Sequence, residues 1–292
     1  MWQTPSIEEN NLSYAQNNLP NSDTNYLQRL SITVGVVLLG LVSSLFVNLP
    51  IRLLTFDVFG SPLSLYVSGR YVFVALLVGL TCTGTDALVR THPLAQRKPL
   101  ENTFVMWTVP ALTILLAALA LPFAPNRLIW LGGILLIGII LSLTMTAEYH
   151  TIDPKDTNFA SSQFILESMT YILALASFIV VYGAKSRSLL SATILFVVTA
   201  LLTLERLRVT GHTLSTTVVY GLVAGLVIGQ CVWALNYSHI PGMMGGLLLL
   251  LLFHVIVGLA SQHLSGRLTS RVVIEYGLVA LVGLGLTVYY FI

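Results

Sequence analysis

Long apolar stretches with almost no charged residues dominate this sequence. About 20 helical residues cross the roughly 30 Å hydrocarbon layer of a bilayer, and stretches of that length recur from residue 30 to the last residues. Charged residues make up 9% of the chain, against about 25% in a soluble domain. A water-soluble core cannot bury so much apolar surface, so the pattern predicts an all-α, polytopic transmembrane helix bundle.

The apolar stretches divide into about nine membrane spans. An N-terminal tail, residues 1–28, is rich in Asn and Ser and shows no periodicity, which predicts a segment that is disordered or bound to a partner. The helical domain follows as residues 29–292. The predicted spans are residues 30–49, 70–88, 103–123, 128–147, 163–182, 188–204, 214–236, 243–262 and 272–291.

The distribution of Lys and Arg predicts the orientation. Nine of the 14 Lys and Arg residues fall in loops or span ends on the side of the N-terminus, and cytoplasmic loops carry an excess of these residues. We therefore expect a cytoplasmic N-terminus in a multi-pass protein of the bacterial inner (cytoplasmic) membrane. The net charge of +2 is too small for a nucleic-acid-binding surface.

One apolar stretch, residues 50–69, lacks the pattern of a span. It is interrupted by Asp57, Gly60 and Pro62, which is typical of an interfacial or re-entrant segment.

Acidic and basic side chains collect at the cytoplasmic ends of several predicted spans. At this depth, such groups form salt bridges by extending toward water, but ionisable groups near the membrane also mark functional sites. Both interpretations stay open for this candidate polar cluster. Its members are Asp86, Arg90, Glu148, His150, Asp153, Glu167, Glu205, Arg206 and Glu275.

The segment AEYHTIDPKD, residues 147–156, offers the most metal-like group of side chains. The spacing of Glu148, His150 and Asp153 matches neither a zinc-binding HExxH helix nor a calcium-binding EF-hand loop. Motifs for nucleotide binding and for a nucleophilic serine or cysteine are missing. The sequence therefore assigns no metal ligand and no catalytic residue, and it favours a non-enzymatic protein.

His254 lies near the middle of a predicted span, where water cannot satisfy its ring nitrogens. Its partner is either an internal group, such as Gln230 or a backbone carbonyl, or the metal of a bound tetrapyrrole, for which histidine is a known axial ligand. Bound lipid, carotenoid or a chlorophyll-type pigment are the cofactors that this position allows.

Gly221, Gly225 and Gly229 repeat every fourth residue on one predicted span. Such a row of small residues allows close packing of helices, either inside this chain or against another subunit. Cys82 and Cys231 also fall inside spans without a CxxC motif, and we interpret them as small buried apolar residues.

Two segments carry a family resemblance: GTDALVRTHP, residues 84–93, and AEYHTIDP, residues 147–154. With them, most of the chain after the tail resembles a family of uncharacterised multi-spanning membrane proteins from green filamentous phototrophic bacteria and their relatives. The resemblance implies no activity and no catalytic residue. It does suggest a bioenergetic membrane as the setting.

Three functional hypotheses follow. The first is a non-enzymatic accessory or structural subunit of a larger photosynthetic or respiratory membrane complex, in contact with lipids and other membrane subunits. The second is a transporter of a small molecule or lipid, which predicts a polar cavity that extends to mid-membrane. The third is an intramembrane enzyme on a lipid-linked substrate, which predicts that Asp86, Glu148, His150 and Glu205 converge on a pocket.

Overall fold

The computed structural model describes residues 22–44, 51–58, 61–97, 103–184, 188–238 and 240–289, and within these ranges it contains ten α-helices and one β-hairpin. Two short 3-10 turns, Thr103–Trp107 and Leu121–Phe123, flank α4. The helices are α1 Ser22–Ser43, α2 Gly69–Val89, α3 Pro93–Arg97, α4 Thr108–Ala120, α5 Arg127–His150, α6 Phe159–Gly183, α7 Ser188–Arg208, α8 Leu214–Asn236, α9 Gly242–Leu264 and α10 Ser270–Tyr289.

Eight helical segments of the described chain are long and apolar enough to cross a membrane. They are α1, α2, α4 with its flanking turns, and α5 to α9. This confirms the predicted multi-pass helical membrane protein. The ninth predicted span forms the 20-residue helix α10, which is not among the eight, so the count of nine stays a prediction. Residues 1–21 of the predicted tail lie outside the described residues.

Backbone and side-chain hydrogen bonds show why these stretches form stable helices. Asn126 begins α5 by accepting a hydrogen bond from the backbone N–H of Ile129 at 2.8 Å, a standard N-cap. The buried Thr81 and Thr85 donate to carbonyl groups four residues earlier. Their hydroxyl groups are thereby satisfied within the helix, without water.

The β-hairpin occupies most of the segment expected to be interfacial or re-entrant. Strands β1 (Ile51–Val58) and β2 (Ser61–Ser68) pair antiparallel between α1 and α2. Ile51 lies opposite Ser68, and Val58 lies opposite Ser61. Strand pairing provides an alternative way to satisfy backbone groups where the breakers Asp57 and Pro62 disfavour a helix. The sequence analysis did not predict this hairpin.

The described helices pack around two apolar cores. Residues of α1, α2, α4 and α5 form the core of what we call the first helix group. Residues of α6 to α9 form the core of the second helix group. Helix α4 contributes Ile114 and Ala117 to the first core and Val109 and Leu112 to the second. The two groups are therefore joined along α4, while α10 packs against α9.

The closest helix contact in the second group is between α7 and α8. A methyl group added at Gly225 would lie 2.5 Å from the carbonyl oxygen of Phe196, and one at Gly221 would lie 3.0 Å from that of Ala200. Gly229 faces the backbone of Ala192 in the same way. The glycine row thus packs inside this chain, which is one of the two alternatives that the sequence left open.

Candidate functional site

One end of the bundle collects most of the charged side chains of the helical segments. At this end α1 begins and α2, α5 and α7 finish. Contacts across it join Arg29 of α1 to the Ala87 carbonyl of α2, and Tyr26 of α1 to Thr146 of α5. We call it the charged end.

A buried group of three charged residues forms the centre of the charged end. The guanidinium Nη2 of Arg208 lies 2.8 Å from Glu148 Oε2 and 2.9 Å from Glu205 Oε1. Arg208 Nε also donates to Glu205 Oε1 at 3.2 Å, and Nη2 contacts the Thr151 hydroxyl at 3.2 Å. The Glu148 side chain is 0% exposed, that of Glu205 2% and that of Arg208 16%. We call these three residues the junction triad.

The local sequence explains how the triad assembles. Glu205 and Arg208 are three residues apart on the last turn of α7, so they lie on one face of that helix. Glu148 comes from the last turn of α5, in the first helix group. A guanidinium can bind two carboxylates at once because its donors form a planar fork. The triad therefore connects the two helix groups through side chains that are largely buried.

The triad is incompletely satisfied. Glu148 Oε1 and Glu205 Oε2 are shielded from solvent and have no hydrogen-bond partner. Two ionised carboxylates against one guanidinium would also leave one negative charge in excess. An uncompensated charge and unpaired acceptors are both costly in a buried site.

A cavity of about 250 Å³ lies beside Arg208, between the ends of α7 and α8. Its lining is mixed, with the hydroxyls of Thr103, Thr151 and Thr217, the His212 ring and apolar side chains such as Met106. His212 Nε2 is 2.7 Å from the carbonyl oxygen of Leu264. The cavity can hold a small polar group, with Arg208 as its charged side chain.

A second polar group at the charged end surrounds His150, the last residue of α5. His150 Nδ1 is 2.6 Å from Asp156 Oδ2. Two hydrogen bonds to its carboxylate lower the pKa of Asp156 below its ordinary value. The larger effect comes from the Asn158 backbone N–H and the smaller one from His150. This pair fixes the loop between α5 and α6.

His92, which follows α2, packs edge-on against the Tyr149 ring at a centroid distance of 4.8 Å. Burial lowers the pKa of His92 below its ordinary value, and the nearby carboxylates of Asp153 and Asp156 only partly offset this. The Tyr26 ring of α1 also packs against Tyr149, at a centroid distance of 4.4 Å. These ring contacts attach α1 and α2 to the end of α5.

The other members of the predicted polar cluster form separate ion pairs. Asp86 of α2 pairs with Arg90, the residue after this helix, and Arg206 of α7 pairs with Glu167 of α6. Glu275 pairs with Arg271 on the exposed surface of α10. Asp153 accepts a hydrogen bond from the Lys155 backbone in a turn. The structure therefore divides the nine candidates among several contacts and brings only Glu148 and Glu205 to one partner.

Arg208 and Thr151 are the members of the site that the candidate set left out. The segment LERLR at the end of α7 contains the signal, because its arginine and glutamate share a helix face. The second acid, Glu148, comes from another helix, and nothing in the local sequence indicates it.

His254 has an internal partner, which is neither Gln230 nor a backbone carbonyl. Its Nδ1 lies 3.1 Å from the Tyr171 hydroxyl of α6, and the Tyr276 ring of α10 stacks beside it at a centroid distance of 5.6 Å. Gln230 is exposed on α8. Across the described residues, no three His, Cys, Asp or Glu side chains are grouped so that they could hold a metal ion.

The helical spans and the charged end together define an integral, multi-pass helical membrane protein. Residues 49–290 match the model of the family described as Protein of unknown function (DUF5656), and the chain belongs to this family. No curated protein and no solved structure matches the chain. The predicted range of the family, in green filamentous phototrophic bacteria, stays a prediction.

Proposed function

We propose that this protein is a non-enzymatic accessory or structural subunit of a larger membrane complex. The observation that carries this proposal is the distribution of the ionisable groups at the charged end. They form several separate pairs that tie helices and loops together, and the two that share a partner, Glu148 and Glu205, are closed off from solvent. Such an arrangement suits a rigid scaffold better than a reaction centre, which needs access for a substrate.

An apolar groove between α1 and α5 supports a lateral partner. It encloses about 850 Å³ and is open along one side. Gly138, Ser142 and Thr146 form a row of small side chains along α5 in this groove, and the exposed Leu135 and Ile139 line it. Small side chains let the backbone of a neighbouring helix approach closely. The occupant we propose is a transmembrane helix of another subunit.

The setting we propose is the inner membrane of a bacterium, with the charged end in the cytoplasm. The bias of Lys and Arg toward the N-terminal side supports this orientation. A photosynthetic or respiratory complex is the proposed assembly, as the family resemblance suggests.

Photo-crosslinking in the native membrane tests the proposed partner. A photo-reactive amino acid replaces Ile139 in the groove or, as a matched control, Leu226 on the outer face of α8. The two side chains are similarly exposed, at 56% and 53%. We expect a single crosslinked protein of defined mass from position 139 and only lipid adducts from position 226. Equal crosslinking from both positions, or none to protein from either, would contradict the proposal.

A small-molecule or lipid carrier is the second candidate. The mixed polar and apolar cavity beside Arg208 favours it, because an amphipathic molecule could place its polar head there. The carrier hypothesis also requires a polar route through the bilayer. Thr217→Leu or Thr217→Trp would fill the cavity. If either variant lost uptake of a small molecule or lipid while its protein level stayed unchanged, the carrier would be favoured over the subunit.

An apolar cleft between α8, α9 and α10 supports a bound lipid, carotenoid or pigment. The cleft measures about 250 Å³, and Leu251 of α9 and Ala280 of α10 are among its lining residues. His254 follows Leu251 by about one turn of α9, so it is the histidine to test as a ligand of a pigment in the cleft. An absorption spectrum of gently purified protein tests for a pigment. Loss of its absorption band in His254→Ala would identify His254 as the residue that binds the pigment.

A further inference from the structure

We propose that Glu148 and Glu205 together bind a single proton, held in a hydrogen bond from one carboxyl group to the other. This proton site is not part of the proposed subunit function and does not depend on it. It would make a proton a fixed component of the junction between the two helix groups.

The geometry of the acid pair is the first step. Both carboxylates contact the same nitrogen, Arg208 Nη2, through Glu148 Oε2 and Glu205 Oε1. One nitrogen within 2.9 Å of an oxygen of each residue holds the two carboxyl groups side by side. A carboxylate only accepts hydrogen bonds, whereas a protonated carboxyl group also donates one. A proton on either residue therefore turns a repulsive contact into a hydrogen bond.

The unpaired oxygens are the second, independent observation. Glu148 Oε1 and Glu205 Oε2 have no partner among the described residues, and both are shielded from solvent. One added proton would supply the missing donor and remove the excess negative charge in a single step. Two like charges held together in a buried site favour this outcome over double ionisation.

Among the residues that the structure describes, the neighbouring charged groups offer no alternative neutralisation. Arg206, the nearest other cation on α7, is paired with Glu167 of α6, and Arg29 of α1 contacts the Ala87 carbonyl. His212, in the loop before α8, bonds to the Leu264 carbonyl, and Arg90, which follows α2, pairs with Asp86. A cavity of about 10 Å³ beside Glu205 has room for about one water molecule. A water there could bond to Glu205 but would leave the excess charge in place.

Infrared spectroscopy of the purified protein tests the proposal. A buried protonated carboxyl group gives a carbonyl band that a carboxylate lacks. We expect this band in the wild type at neutral pH, and we expect Glu148→Gln and Glu205→Gln to abolish it. Glu167→Gln is the matched control, because it breaks the ion pair of Arg206, which is on the same helix as Glu205, and should leave the band intact. A wild-type spectrum without the band, or a band retained in both triad variants, would overturn the proposal.

Thermal unfolding above neutral pH gives a second readout. A proton bound in the folded protein and released on unfolding makes stability fall as pH rises. We expect the melting temperature of the wild type to decrease with pH in this range more steeply than that of Glu148→Gln, since an amide can donate to Glu205 without a proton. Parallel curves for the two proteins would contradict a shared proton.

Discussion

Helices α8 and α5 both carry a small residue at every fourth position, yet the two rows meet different surroundings. On α8, the row of Gly221, Gly225 and Gly229 is closed against the backbone of α7, to which a short loop connects it. On α5, the row that begins at Gly138 faces a groove only partly covered by Leu38 of α1. Close packing is therefore complete between helices adjacent in sequence, whereas the distant pair leaves room for a partner.

The first prediction concerns the junction triad, which holds the two helix groups together. Arg208→Met removes the cation from two buried carboxylates, and breaking a buried pair in this way costs about 3–5 kcal/mol. We expect the largest loss of stability in this variant, measured by thermal or denaturant unfolding in detergent. The control is Arg271→Met, whose side chain is 89% exposed and which should change stability by about 0–1 kcal/mol. Similar losses in the two variants would contradict a buried junction.

The second prediction concerns the closed row on α8. Gly225→Leu must displace the α7 backbone, because the added Cβ would lie 2.5 Å from the Phe196 carbonyl oxygen. Overpacking of this kind costs about 1–3 kcal/mol. Gly132→Leu on α5 is the control, since nothing lies within 4 Å of a Cβ at that position. If both variants unfold like the wild type, α7 and α8 are not in close contact.

The third prediction concerns Tyr182, a fully buried side chain of the second helix group. Its hydroxyl lies 3.2 Å from the Leu235 carbonyl and 3.1 Å from that of Ile240, at the end of α8 and the loop before α9. Tyr182→Phe keeps the ring and removes the donor, so we expect a loss of about 1 kcal/mol in the free energy of unfolding. Tyr71→Phe is the comparison, because the Tyr71 side chain is 59% exposed, and it should show no such loss.

The smallest effect is expected from His92, which joins α2 to the end of α5 in the first group. Because burial lowers its pKa, the folded protein binds fewer protons at this residue than the unfolded chain does. Its contribution to stability is therefore complete above the ordinary histidine pKa of about 6.5 and is lost as pH falls below that value. His92→Asn should weaken this acid dependence, which unfolding curves at several pH values would measure. If stability falls at acid pH in His92→Asn as it does in the wild type, groups other than His92 cause the fall.

The spans were predictable because hydropathy depends on composition alone. Eight of the nine predicted spans correspond to helices of sufficient length and apolarity, with ends shifted by a few residues. The ends of α5 and α7 were also correctly placed at one side, which is why Glu148 and Glu205 both entered the candidate set.

The pairing of polar side chains was not predictable, because it depends on which helices are neighbours and how each is rotated. Glu148 and Arg208 are 60 residues apart, and Tyr171 and His254 are 83 residues apart. A single sequence contains no signal that α5 ends beside α7, or that Tyr171 faces α9. The hairpin between α1 and α2 was missed for a related reason, since short strand pairs depend on contacts rather than on local periodicity.

The most direct test of the scaffold interpretation replaces the whole triad. A variant with Glu148→Met, Glu205→Met and Arg208→Met removes all three charges together, and apolar substitution of a buried charged triad is often neutral or stabilising. If the triad only joins the helix groups of a subunit, this variant will fold and give the same crosslinked partner from position 139 as the wild type. A variant that folds with wild-type stability but loses that partner, or a bound small molecule, would contradict the account.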